Sequence, residues 1–153
     1  MQTISQAAVV EGRSKERENF TLLNQLRAFA NLTYEANATL TTAATGVATV
    51  AWTSPTIPDN GCWTVQANVT GYATAGGTGA AAYVILVGIE SDAGVAVAIG
   101  GTSVTVMQRE SAAAMDCLFS LSGQTLQVKV QDDGVLTMKW KVHVSIVEVV
   151  RDG

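Results

Sequence analysis

Charge is what this chain has least of. Of its 153 residues only 14% are Asp, Glu, Lys or Arg, against about a quarter in an ordinary soluble domain. Apolar residues make up 48%. A surface so poor in charge implies that part of it is covered in an assembly, the usual meaning of exposed apolar area. The net charge is −4, which excludes a nucleic-acid backbone as the main partner, because phosphates would meet charge of their own sign. Cys62 and Cys117 are the only cysteines, too few for a disulfide framework or a cysteine-built zinc site. Cys117 shares parity with Met115, Phe119 and Leu121 and reads as a small buried hydrophobe. Long apolar runs are missing as well, so no transmembrane helix is expected. Met1 to Val10 lacks the apolar stretch of a signal peptide, so no export by that route is expected.

What the chain does have is alternation. The run VLTMKWKVHVSIVEVV, residues 135–150, puts Leu136, Met138, Trp140, Val142, Val144 and Ile146 on one parity. Thr137, Lys139, Lys141, His143 and Ser145 take the other. Successive side chains on a strand point to opposite faces, so this is a strand with one face in a core and one in water. A register slip by one residue would expose Trp140 and bury two lysines. The run is longer than an average strand, and we expect it at the centre of a sheet.

Earlier segments supply partners. Residues 46–52 form a first short strand, closed by Pro55 and Pro58, which cannot donate to a ladder. Asp59-Asn60-Gly61 is a turn. Residues 62–73 form the second strand, with Trp63, Val65, Ala67 and Val69 on one face and Thr64, Gln66, Asn68, Thr70 and Tyr72 on the other. After the loop Thr74–Gly79, residues 80–91 carry Tyr83, Ile85, Val87 and Ile89 on one face. Val84 and Leu86 make the other face apolar too, so cover on both sides is expected, from a second layer of protein such as another subunit. Ser91-Asp92-Ala93-Gly94 is a hairpin turn into residues 95–99. Further strands are expected at 103–107, 113–121 and 124–131, with Gln108–Ser111 as a polar connection. Asp132-Asp133-Gly134 carries the strongest hairpin signal in the chain. Some seven or eight short strands at intervals of about 8–12 residues mark an antiparallel sandwich or barrel. No βαβ rhythm is present.

Residues 1–39 differ. A mixed-charge block from Glu11 to Glu18 suggests a solvated tail or an arm that orders on a neighbouring subunit. In residues 20–37, Leu22, Leu26 and Phe29 recur at helical spacing. The spacing predicts one short helix, which must pack on its own domain or on sister copies. The organisation expected is thus an N-terminal arm and helix over 1–39, for anchoring or oligomerisation, and a β-sandwich over 40–153.

Chemistry is hard to find. His143, the only histidine, lies on the polar side of the last strand, and no serine or cysteine sits in a nucleophile turn for it to activate. The carboxylates fall at turns or in the N-terminal block, without a calcium-loop or paired-acid spacing. Asp132-Asp133 reads as a turn rather than a cation site. The segment GGTG lacks the lysine of a phosphate loop. Trp52, Trp63 and Tyr72 are candidates for a sugar platform, although Trp63 has core parity. The expectation is no enzyme, no catalytic residue, no metal and no cofactor.

Four segments, IPDNGCWTVQANVTGY (57–72), GAAAYVILVGIE (79–90), AAMDCLFSLSGQTLQVKVQ (113–131) and MKWKVHVSIVEV (138–149), resemble a module of tailed-phage virion proteins over about two thirds of the chain. The resemblance implies a β-sandwich or jelly roll used in fibres, spikes and capsid decoration. Its first implication is a head decoration or cement protein, a homotrimer bound to the major capsid protein or another virion protein in the assembled particle. The alternative is a head-fibre or tail-fibre adsorption module binding a host-surface glycan through Thr74–Gly79 and Trp52 or Tyr72. One fold carries many functions, so the strand pattern alone does not choose.

Overall fold

The computed structural model describes residues 33–151. Nine strands are present there: β1 (Thr33–Ala43), β2 (Thr49–Thr53), β3 (Gly61–Ala75), β4 (Ala80–Asp92), β5 (Val95–Ala98), β6 (Val104–Glu110), β7 (Asp116–Ser122), β8 (Thr125–Gln131) and β9 (Thr137–Val150). They form two sheets. The larger has the order β1-β9-β3-β4-β5, with β6 also paired to β4; the smaller has the order β2-β8-β7. The chain is mainly β, as its alternation implies, and β9 lies inside the larger sheet between β1 and β3.

The register follows from burying one parity. On the larger sheet Trp63 stands beside Ile89, Val65 beside Val87, Ala67 beside Ile85 and Val69 beside Tyr83. Across β3 the same residues meet Glu148, Ile146, Val144 and Val142. All of the apolar members of these rows are buried. The smaller sheet answers with Leu126, Val128, Val130 and Cys117, also buried, and with half-buried Trp52, Phe119 and Leu121 packed against them. Sheet faces packed this way bury about 1.5–3 kcal/mol of transfer free energy per large aliphatic side chain.

Trp140 is the largest fully buried side chain. Its direct partner on β3 is Gly71, where a Cβ would lie 2.5 Å from the indole ring. Only glycine lets the ring lie flat against the neighbouring strand. The indole N–H donates to the Thr42 hydroxyl at 3.0 Å, so the buried polar atom of Trp140 has its partner.

Several boundaries differ from the expected ones. Residues 33–37, the end of the expected helix, are strand, and β1 runs across residue 40. Four of the 11 residues of β1 are threonine, and β-branched residues favour extended backbone. The rest of the expected helix, and the arm before it, lie outside the described residues. Gln108–Glu110 is not a connection but the end of β6, paired with Ala81–Tyr83. Nearly all of β6 is exposed, so no alternation marks it.

The Asp132-Asp133-Gly134 turn does not close a hairpin. Strand β8 pairs with β2 and β7, whereas β9 pairs with β3 in the other sheet. The turn carries the chain from one sheet to the other. Asp132 has no exposed surface. Its Oδ1 accepts from the Gly46 N–H at 2.6 Å and from the Gly134 N–H at 2.9 Å. Gly134 has φ +80, a conformation that glycine adopts without strain. Asp133 Oδ1 accepts from Val135 and Leu136. The two carboxylates serve the backbone of a crossover. Burial would raise the Asp132 pKa, but the Gly46 and Gly134 N–H groups, the Thr42 side chain and the Thr45 backbone outweigh it and hold it below the ordinary carboxylate value.

The cover expected on both sides of β4 is one-sided here. Val84 and Leu86 are half-buried on the outer face, beside Met107 and Val104 of β6. No second layer stands over them among the described residues.

Candidate binding face

The outer face of the larger sheet carries the even residues of β3 and β4 and the odd residues of β9. Register sets its rows. Lys139 pairs with Tyr72, Lys141 with Thr70, and His143 with Asn68. On the other side of β3, Tyr72 faces Ala80, Thr70 faces Ala82, and Asn68 faces Val84. Beyond β4, Ala82 faces Arg109 and Val84 faces Met107. Direct neighbours across strands have Cβ atoms about 4.5–5.5 Å apart, so these side chains form one continuous surface.

Tyr72 is 65% exposed. It stands two residues before the expected loop Thr74–Gly79, at the same end of the sheet. Thr74 Oγ1 donates to the Thr137 carbonyl at 3.2 Å, which ties that loop's start to β9. A shallow depression of about 380 Å³ lies alongside, lined by Asn37, Thr39, Asn68, Thr70, Lys141 and His143. The His143 Nδ1 is 2.9 Å from Asn37 Oδ1, and its Nε2 is 3.4 Å from Ser145 Oγ. An amide and a hydroxyl flank this histidine, and no carboxylate is hydrogen-bonded to it among the described residues. The depression therefore offers amide, hydroxyl, imidazole and ammonium groups, an assortment suited to hydrogen-bonding a polar ligand.

The other candidate aromatics are elsewhere. Trp63 is buried, and its indole N–H donates to Glu148 Oε2; its core parity is met. Trp52 is half-buried on the smaller sheet, opposite Val128 and packed against the core. It is less open to a sugar than Tyr72, the other aromatic read from the sequence. Cys117 is buried, as expected, and burial, helped by nearby Asp116, pushes its thiol pKa up to about 12. Tyr83 is also buried; burial and its hydrogen bond to Glu110, 2.7 Å, push its pKa up. Neither group is activated as a nucleophile or base. Among the described residues no three His, Cys, Asp or Glu side chains are grouped to hold a metal ion.

Sequence reasoning placed Lys139, Lys141 and His143 on the polar side of β9 but did not join them to Tyr72, Asn37 or Arg109. The shared parity of 68, 70 and 72 was a signal. Which strand they would face was not.

What these features define is a two-sheet, mainly antiparallel β fold with an open polar face. No family model matches the chain, and no curated protein matches it. Among solved structures, it is similar to the tailspike protein of Acinetobacter baumannii phage AM24, with 8% identity and a TM-score of 0.46, over 78% of this chain and 26% of that one. It is also similar to the tailspike protein gp49 of Acinetobacter baumannii bacteriophage Fri1, described as a capsular polysaccharide depolymerase, with 16% identity and a TM-score of 0.33. A third is the Acinetobacter phage vB_ApiP_P1 tailspike, with 14% identity and a TM-score of 0.39. This chain spans about a quarter of the length of these tailspikes or less.

Proposed function

We propose that this chain is a phage virion adsorption module that binds a host-surface glycan without turning it over. The observation that carries the reading is the exposed Tyr72 ring beside the polar depression of Asn37, Thr39, Asn68, Thr70, Lys141 and His143 on one sheet face. An aromatic face with hydroxyl and amide groups around it matches a sugar's mixture of C–H surface and hydroxyls. The virion setting rests on the strand-and-turn resemblance read from the sequence. A glycan array and a host-cell binding assay test the proposal together. Binding that Tyr72→Ala abolishes supports it; a blank array with no cell binding overturns it.

One observation favours the capsid-decoration reading as second choice. Val95, Val97, Ile99, Val104 and Val106 are exposed along β5 and β6, a strip suited to another protein surface, whether capsid subunit or sister chain. Sedimentation with purified capsids separates the two functions. Light scattering on the free protein tests the homotrimer expected from the sequence.

A further inference from the structure

Along β9, β3, β4 and β6 the outer face sorts its charged side chains by sign. On β9, β3, β4 and β6, the rows at the Tyr72 end hold Lys139, Lys141 and Arg109 and no carboxylate. Glu90 stands toward the opposite end, beside Cys62 and Val97, with Asp92 beyond it. A chain of net charge −4 has thus set a cationic patch around its one strongly exposed tyrosine on this face. Lys141 and Arg109 bracket the small residues Thr70 and Ala82 in a single row. Three strand spacings separate them, roughly 14 Å between backbones. Long side chains at the two ends and short ones between make a shallow trough with a positive rim.

We infer that the ligand of this face is an acidic polysaccharide, whose carboxylates are held by Lys139, Lys141 and Arg109 while a sugar ring lies on Tyr72. This rests on the glycan reading above and narrows it to uronate-type chains. Arg109 uses one guanidinium nitrogen on the Gln108 carbonyl at 2.9 Å and keeps other N–H groups to fork onto a carboxylate. The lysines act as point charges that a flexible polymer can meet in more than one register. A nucleic acid fits less well, because a single exposed aromatic cannot stack successive bases.

The test uses the full chain and two sets of probes. Polygalacturonate and alginate are compared with the same polymers after reduction of their carboxyl groups, by titration calorimetry. Reduction is expected to weaken binding about tenfold or more, as is the triple variant Lys139→Gln, Lys141→Gln, Arg109→Gln, at one order of magnitude per 1.4 kcal/mol of lost charge-assisted bonding. Raising the salt from about 50 to about 500 mM is expected to weaken it too, because these charges are exposed to screening. Glu90→Gln with Asp92→Asn, at the other end, is the control and should leave binding unchanged. Equal binding to acidic and reduced polymers overturns the acidic assignment and leaves the glycan reading standing. Binding to neither set overturns the inference, and a blank array overturns the reading beneath it. Full binding by the triple variant, with its melting curve unaltered, also overturns the assignment.

Discussion

The two faces of the larger sheet are built from the same six strands yet obey different rules. Inside, the central rows are apolar: Ala67, Ile85 and Val144 lie side by side, as do Val65, Val87 and Ile146, and the polar groups near the margins, Glu148 and Thr42, are hydrogen-bonded to indoles. Outside, the face is divided. One end carries Lys139, Lys141, Arg109 and Tyr72; the other carries exposed Val97, Ile99, Val147 and Val149. Packing against a second sheet leaves no freedom to mix, because an unpaired polar group there costs about 1–3 kcal/mol. Water tolerates either choice, so the division outside was not imposed by folding. Substitutions should therefore sort by face: inward ones read out in stability, outward ones in binding.

The largest effect is expected at Trp140. Trp140→Ala removes a fully buried indole and leaves Thr42 without its donor, at a cost of about 3–5 kcal/mol. Urea unfolding measures it, and an unchanged midpoint would mean that the inner face is not the source of stability. Gly71→Ala tests the same contact from the other side. Its new methyl would press on the ring from 2.5 Å, and overpacking of this kind costs about 1–3 kcal/mol.

Asp132 comes next, because it serves the crossover between the sheets. Asp132→Ala strips a partner from the Gly46 and Gly134 N–H groups, for a loss of about 1–3 kcal/mol. Its pKa in the folded chain is lowered. The carboxylate therefore contributes stability that is full above its unfolded pKa, about 3.9, and is lost as pH falls through the folded value. Asp132→Asn should flatten the acid limb of a stability–pH curve measured below about pH 5. An acid limb of unaltered slope would assign it to other carboxylates.

This crossover also marks how far the sequence could be read. The odd–even sorting of 61–73 and 137–146 gave the inner face residue by residue, since burial enforces parity along a strand. Asp-Gly announced a turn at Asp133-Gly134 but not which strands it joins; sheet membership is settled by pairing over many residues, which a local signal cannot carry. Strand β1 hid because Leu40 is flanked on the core side by small or polar residues, Ala38 and Thr42. The tail of β6 hid because an uncovered strand has no wet side and dry side to tell apart. At the candidate site the limits were the same. Lys139, Lys141 and His143 were visibly polar-side residues, but Arg109 joins them only through the β3–β4 and β4–β6 registers. Trp52 looked as available as Tyr72 until the smaller sheet folded it toward the core.

Outward substitutions should leave the fold alone. Tyr72→Ala removes an exposed ring, so its effect on stability should stay within about 0.5 kcal/mol, while glycan binding falls. A loss of stability comparable to that of Trp140→Ala would erase the distinction between the faces.

The smallest effect on folding is expected at the apolar end. Val147 is exposed and pairs with Thr64 on β3. Threonine is β-branched like valine, so Val147→Thr keeps the strand preference and should move the unfolding midpoint by less than about 0.5 kcal/mol. Ile99→Thr alters the same face beyond Gly88, whose carbonyl accepts the Ile99 N–H. Together they replace two exposed hydrocarbon side chains with hydroxyl-bearing ones while keeping β-branching. If this end seats a sister chain or a capsid subunit, the pair should lower the mass seen by light scattering or release the protein from capsids, with no shift in melting. If both assays stay unchanged, the apolar end is only tolerated by water, and the division of the outer face has function at its cationic end alone.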